Sequence, residues 1–193
     1  MNLMDRIKGI LLSPRTEWPK IAAESATVQS IYTGYVMILA LIGPIMVLLS
    51  SLMFPALGFA FGARAALTMY VMHLVSVAVI ALIADLLAPT FGGSKDYVRS
   101  LKLVAYSMTA VWAAEVTLIV PVLGGLVVLV AAIYACYLFF TGAPVLGRCN
   151  GDKAVPFTIV VVLGAIVLMF IIRAIVFGAA VAPLASGSYG LVR

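Results

Sequence analysis

Three ionisable residues stand inside apolar runs: His73 in LTMYVMHLVSVAV, Glu115 in AVWAAEVTLIV and Arg173 in MFIIRAIVF. A charge placed in hydrocarbon costs about 2.5–3.5 kcal/mol on insertion scales, so such residues mark a functional pathway or a paired structural group. A carboxylate beside a guanidinium offsets much of that cost for both, and an imidazole beside them can take up or release a proton near neutrality. The set suits an ion, a proton or a lipid headgroup. Enzyme chemistry has less to stand on. No HExxH, GxSxG or phosphate-binding glycine loop occurs, and Ser76, three residues from His73, has no nucleophile elbow around it. Cys136 and Cys149 show neither CxxC nor metal-ligand spacing. No catalytic residue, metal or other cofactor is expected, and the chain reads as a non-enzyme.

The elements that must carry these residues follow from composition. The 193 residues are 65% apolar and only 10% charged, with a mean hydropathy of +1.22, whereas soluble domains carry about 25% charged residues. So much apolar surface cannot be hidden in one small core. The expected fold is all-α, a polytopic membrane bundle of five transmembrane helices behind a short amphipathic, interfacial helical segment. A net charge of +5 does not imply nucleic acid, because the bases flank apolar runs instead of forming a patch interleaved with aromatics.

Residues 1–31 form the leading segment. Leu3, Ile7, Ile10 and Leu11 share one helical face, with Asp5, Arg6 and Lys8 largely opposite. Ser13-Pro14 offers a second helix start. Trp18, between Arg15 and Lys20, is expected to anchor the segment at the membrane interface or to lie under the bundle. The short, interrupted apolar part of this segment does not make a secretory signal. The membrane domain, 32–182, divides into spans at about 32–54, 66–88, 101–120, 126–141 and 157–182, with an external tail at 183–193. Gly43-Pro44 should kink the first span, and Gly124-Gly125 should form the turn of a hairpin between the third and fourth.

At ~1.5 Å per helical residue, His73, Glu115 and Arg173 fall roughly 10, 9 and 13 Å below the same membrane surface. Positive charge sets which surface that is. Arg6, Lys8, Arg15 and Lys20, the loop bases Lys95, Arg99 and Lys102, and Arg148 with Lys153 lie on one side, against Arg64 and Arg193 on the other. The N-terminus is therefore expected in the cytoplasm and the C-terminus outside, with the three ionisable residues in the outer half. Asp85 lies near the inner interface, where a salt bridge to Lys95, Arg99 or Lys102 is the simplest expectation. Small residues repeat at four-residue spacing at Ala110 and Ala114 in the third span and at Ala174, Gly178 and Ala182 in the fifth. Such faces let helices approach closely. They suit a contact between those two spans, a homo-oligomer or a membrane-protein partner, with membrane lipids around them all.

The segments SPRTEWPKIAAE, YTGYVMILALIGPI, FGGSKDYVRSLKLVAYS and VPVLGGLVVLVAAIYACYLFFTGAPVL, spread between residues 13 and 146, resemble the Yip1 family of five-span membrane proteins in its bacterial form. The resemblance implies five helices, a cytoplasmic N-terminus, a location in a bacterial inner membrane and no settled activity. Its eukaryotic relatives are associated with vesicle trafficking and small GTPases through a long N-terminal region, of which only about thirty residues stand here. Two functions follow as expectations: a non-enzymatic organiser of membrane or partner proteins, and a small transporter or channel for an ion, proton or lipid built on the polar cluster. The orientation is directly measurable. A reporter active only outside the cytoplasm should be silent when fused after Ser94 and active when fused after Gly125; the reverse pattern would overturn the charge argument.

Overall fold

In a computed structural model, the chain is described for backbone residues 2–54 and 58–187, and for side chains within them as far as residue 171, Pro121 apart. Two short helices, α1 (Leu3–Leu12) and α2 (Pro14–Ala23), precede five long apolar ones. These are α3 (Val28–Met53), α4 (Phe59–Leu87), α5 (Tyr97–Ile119), α6 (Pro121–Val145) and α7 (Ala154–Gly187). Each of the five is long and apolar enough to cross a membrane, and no strand occurs among the described residues. This is a helical membrane bundle. Helices span bilayers because each satisfies its own backbone polar groups, and the departures from regular helix fall where that rule has to be met another way.

The α5 helix is the centre of the bundle. Its apolar window is 56% buried, against 22% for α6 and for the described part of α7. It packs against α3, α4 and α6, while the described part of α7 lies on α4 and α6. Ala110 is buried and Ala114 half-buried in a segment that packs on α3 and α6. Ala174, Gly178 and Ala182 lie outside the described side chains. Helix α6 begins at Pro121, which places Gly124 and Gly125 within its first turns, and the chain reverses at Val120.

The two short helices close the base of the bundle. Arg6 is buried and donates to Glu17 at 2.7 Å and to Glu24, while its guanidinium lies 5.7 Å from the centre of the Tyr106 ring. Trp18 does not sit at the interface as an anchor. It is wholly buried, and its indole Nε1 donates to Thr141 at 3.2 Å. The ring lies directly over Gly142 on α6, where a Cβ would come within 2.5 Å of it. The aromatic therefore fixes the leading segment to protein, and lipid has no access to it.

The charges at the base pair differently from their order in sequence. Asp85 bonds none of Lys95, Arg99 or Lys102. Its Oδ1 accepts from the Asp96 amide at 2.7 Å and from the Arg148 guanidinium at 3.4 Å. Lys102 turns instead to the C-terminal end of α2, donating to the Ile21 carbonyl at 2.8 Å and to that of Glu24, where a cation complements the helix dipole. Arg99 pairs with Asp96 at 3.3 Å, and Lys95 is exposed. The reason is distance along the chain: the loops after α4 and after α6 are far apart in sequence but meet face to face. Gly92 pairs with Cys149 in a single bridge, and the Asn150 amide donates to the Phe91 carbonyl at 3.0 Å. Gly92 takes a φ of +84°, which favours glycine.

Arg148 is the pin of this joint. Its side chain is fully buried, donating to the carbonyls of Leu146 at 3.1 Å and Asp96 at 3.2 Å as well as to Asp85. Burial lowers the pKa of its guanidinium, and Asp96 and then Asp85 oppose that shift. The same burial pushes the neighbouring Cys149 thiol up to about 11, with Asp152 adding to the effect, so it stays a neutral thiol at physiological pH. Removing one partner of a buried pair strands the other charge, at about 3–5 kcal/mol. Arg148→Met should therefore lower the thermal unfolding midpoint in detergent sharply, and adding Asp85→Ala should recover part of the loss. A midpoint unchanged by Arg148→Met would show that the joint does not hold the base together.

Candidate functional site

The polar site in the apolar part of the bundle starts from Pro44. Proline has no amide hydrogen, so the carbonyl of Ala40, four residues earlier, has no helical donor. The α3 helix breaks at Ala40 and Leu41 and resumes at Ile42. In hydrocarbon a carbonyl left this way must find another donor. His73 on α4 supplies it: its Nδ1 is 3.2 Å from the Ala40 oxygen.

On the other side of the same ring, Nε2 lies 3.2 Å from Oε1 of Glu115. Glu115 stands where α5 tightens into a 3-10 segment running to Ile119, and it is only 2% exposed. Its second oxygen, Oε2, is buried without a hydrogen-bond partner among the described residues. Gly43 makes the space for it. A Cβ built on Gly43 would overlap the carboxylate, coming 2.8 Å from its carbon. Gly43-Pro44 thus does two things at once: proline frees the carbonyl that holds the histidine, and glycine leaves the room that the acid occupies.

The structure brings His73 and Glu115 together from two spans and adds a third, α3, through backbone alone. Arg173, the remaining member expected at this depth, lies outside the described side chains. The contribution of Gly43, Pro44 and Ala40 was legible as a kink and no more, because a backbone carbonyl carries no signal in residue type.

Next to the pair lies a chamber of about 440 Å³ between α4, α5, α6 and α7. Its walls are apolar, among them Val77, Ile80, Val111, Ala135 and Val161, with Trp112 beside His73 at 6.4 Å between ring centres. His73, Ser76, Ser107 and Cys136 put the few polar atoms on its surface. Ser107 is 2% exposed, and its Oγ has no partner among the described residues. Among the described residues no cluster of His, Cys, Asp or Glu has the arrangement of a metal site. The arrangement can move or hold a proton at His73 and Glu115 and can receive an apolar molecule beside them.

A family model described as the Yip1 domain matches residues 8–186, which takes in the whole of this site. No curated protein and no solved structure matches the chain. The space at Gly43 gives the arrangement a sharp test. Gly43→Ala forces either α3 or the side chains of Glu115 and Met69 to move, and overpacking of this kind costs about 1–3 kcal/mol. The variant should lose thermal stability by that order, and Gly43→Ala combined with Glu115→Ala should be less destabilised than the sum of the two single changes. Additive losses would mean that the glycine and the carboxylate do not share the space.

Proposed function

This chain belongs to the Yip1 family, and from that premise we propose that it is a non-enzymatic organiser of the membrane that works by holding a lipid chain in the chamber between α4, α5, α6 and α7. The chamber carries the proposal. Its volume of about 440 Å³ lies in the ordinary range for small-molecule pockets, about 300–1,000 Å³. Leu129, Ile133, Ile166 and Met169 line it and are at the same time 45–68% exposed on the bundle surface, so its mouth opens towards the bilayer. The molecule at hand there is a lipid tail. The Ser107 hydroxyl, unpartnered among the described residues, with Ser76 on the same chamber wall, favours a chain bearing a carbonyl or hydroxyl oxygen that can accept a hydrogen bond.

The organiser reading needs no bond to be made or broken, in keeping with a polar edge that holds two serines and a histidine but no activated nucleophile. The charge asymmetry of the sequence supports an N-terminus in the cytoplasm and a C-terminus outside, and the resemblance to the bacterial form of the family favours a bacterial inner membrane. The small-residue face of Ala174, Gly178 and Ala182 remains the place for a second copy or a membrane-protein partner. One observation favours a second reading, a small transporter for an ion, proton or lipid: the His73–Glu115 pair stands at the edge of the same chamber.

A lipid carrying a photoactivatable group in its acyl chain tests the first reading in reconstituted bilayers. Labelling should map to peptides containing Ser107 and Ala135. Ala165→Trp, which fills the chamber, should reduce labelling about tenfold, the effect of losing ~1.4 kcal/mol of affinity. Leu163→Trp, on the exposed face of α7 and outside the chamber lining, should leave it unchanged. Equal labelling of the wild type and Ala165→Trp would overturn lipid binding in the chamber.

A further inference from the structure

The chain has a single histidine, and the two nitrogens of its ring meet unlike partners. Nδ1 faces the Ala40 carbonyl at 3.2 Å. A carbonyl can only accept, so Nδ1 carries a hydrogen. That leaves Nε2 to face Glu115 Oε1 at 3.2 Å. In a neutral imidazole protonated at Nδ1, Nε2 offers only a lone pair, and an ionised carboxylate offers only lone pairs too. The two cannot attract one another unless a hydrogen lies between them. It sits either on Nε2, as imidazolium facing carboxylate, or on Oε1, as carboxylic acid facing imidazole. Both forms hold the same number of protons and sum to zero charge.

We propose that His73 and Glu115 form an intramembrane binding site for one proton, held between Nε2 and Oε1. Passing it across breaks one N–H bond, makes one O–H bond and moves no heavy atom. A second proton would leave the pair net positive and none would leave it net negative, and either state is costly in a low-dielectric interior. The solvent-poor setting of Oε2, which is buried without a partner among the described residues, adds to the advantage of the neutral one-proton state. Among the groups that surround His73, the described residues put Glu115 as the charged one acting on it and the Ala40 carbonyl as the polar one. Gly43 and Pro44 from α3 and Trp112 from α5 are not ionisable. The hydrogen count at the two ring nitrogens takes nothing from Arg173 or from any other side chain beyond residue 171.

His73 lines the chamber and its side chain is 19% exposed, whereas Glu115 is 2% exposed and is not part of the chamber lining, so the imidazole is the partner on the chamber side. Since Ala40 depends on His73 and His73 on Glu115, the bound proton joins α3, α4 and α5. This inference is independent of whether a lipid occupies the chamber.

A single histidine makes the test direct. Protein labelled with nitrogen-15 histidine and reconstituted in bilayers gives one pair of ring resonances in solid-state NMR. The wild type should show Nδ1 bonded to hydrogen from mildly acidic to mildly alkaline pH, with Nε2 in a strong hydrogen bond. Glu115→Gln should shift the Nε2 resonance and leave Nδ1 protonated. Pro44→Ala restores an amide that can serve Ala40 from within the helix, so Nδ1 should lose its fixed hydrogen and the ring should show both tautomers. If a variant does not fold, the wild type still decides, through a close Nε2–carboxyl carbon contact to Glu115 and the one hydrogen on Nδ1. A wild-type ring bare at Nδ1, or an Nε2 resonance indifferent to Glu115→Gln, would sink the proposal.

Discussion

A backbone carbonyl without a donor is expensive in hydrocarbon, and Pro44 creates one at Ala40. Much of the upper bundle can be read as the answer to that defect. A histidine from α4 reaches across to the carbonyl, and the reach commits one ring nitrogen as a donor. The other nitrogen then needs a partner of the opposite kind, and Glu115 on α5 provides it. Gly43, next to the proline that began the sequence of needs, leaves the volume for the acid. Three spans are joined by two contacts and one missing hydrogen.

The base of the bundle is held by a different kind of interaction. There the charges are many and the chain returns to them from several directions: Arg6 to Glu17 and Glu24, Lys102 to the end of α2, and Arg148 to Asp85 and the loop at Asp96. Tyrosines add bonds from side chain to backbone between helices, with Tyr134 donating to the Leu11 carbonyl at 2.7 Å and Tyr97 to that of Ala78 at 3.2 Å. Trp18 and Leu101 are fully buried here. The base is therefore closely tied, whereas fewer residues are buried in α6 and in the described part of α7. A chamber opens where packing is sparse, between these two helices and α4 and α5.

That contrast gives the molecule a division of labour in physical terms. A firm base sets the register of the helices, and a looser wall leaves space that a bilayer component can enter. The His73–Glu115 pair lies on the boundary between the two, bonded on one side to the broken α3 and open on the other to the chamber.

How much of this was open to inspection in the chain itself differs from residue to residue. Five apolar runs, the helical face of Leu3, Ile7, Ile10 and Leu11, and the common depth of His73 and Glu115 all follow from hydropathy and a constant rise per residue, which are properties of one dimension. Gly43-Pro44 announced a kink, because proline's missing hydrogen is a local fact. Which side chain would serve the freed carbonyl was not local. Neither was the choice of Arg148 over Lys95, Arg99 or Lys102 as partner for Asp85, nor the burial of Trp18 beneath Gly142 in place of an interfacial seat. Those depend on which helices are neighbours and how each is turned about its axis, and the packing of side chains between helices decides that. The sequence alone determined a five-span helical membrane protein with its charges gathered at one end; tertiary structure decided which of its few polar groups meet, because in hydrocarbon a polar group's partner is whatever the packing brings within hydrogen-bond reach.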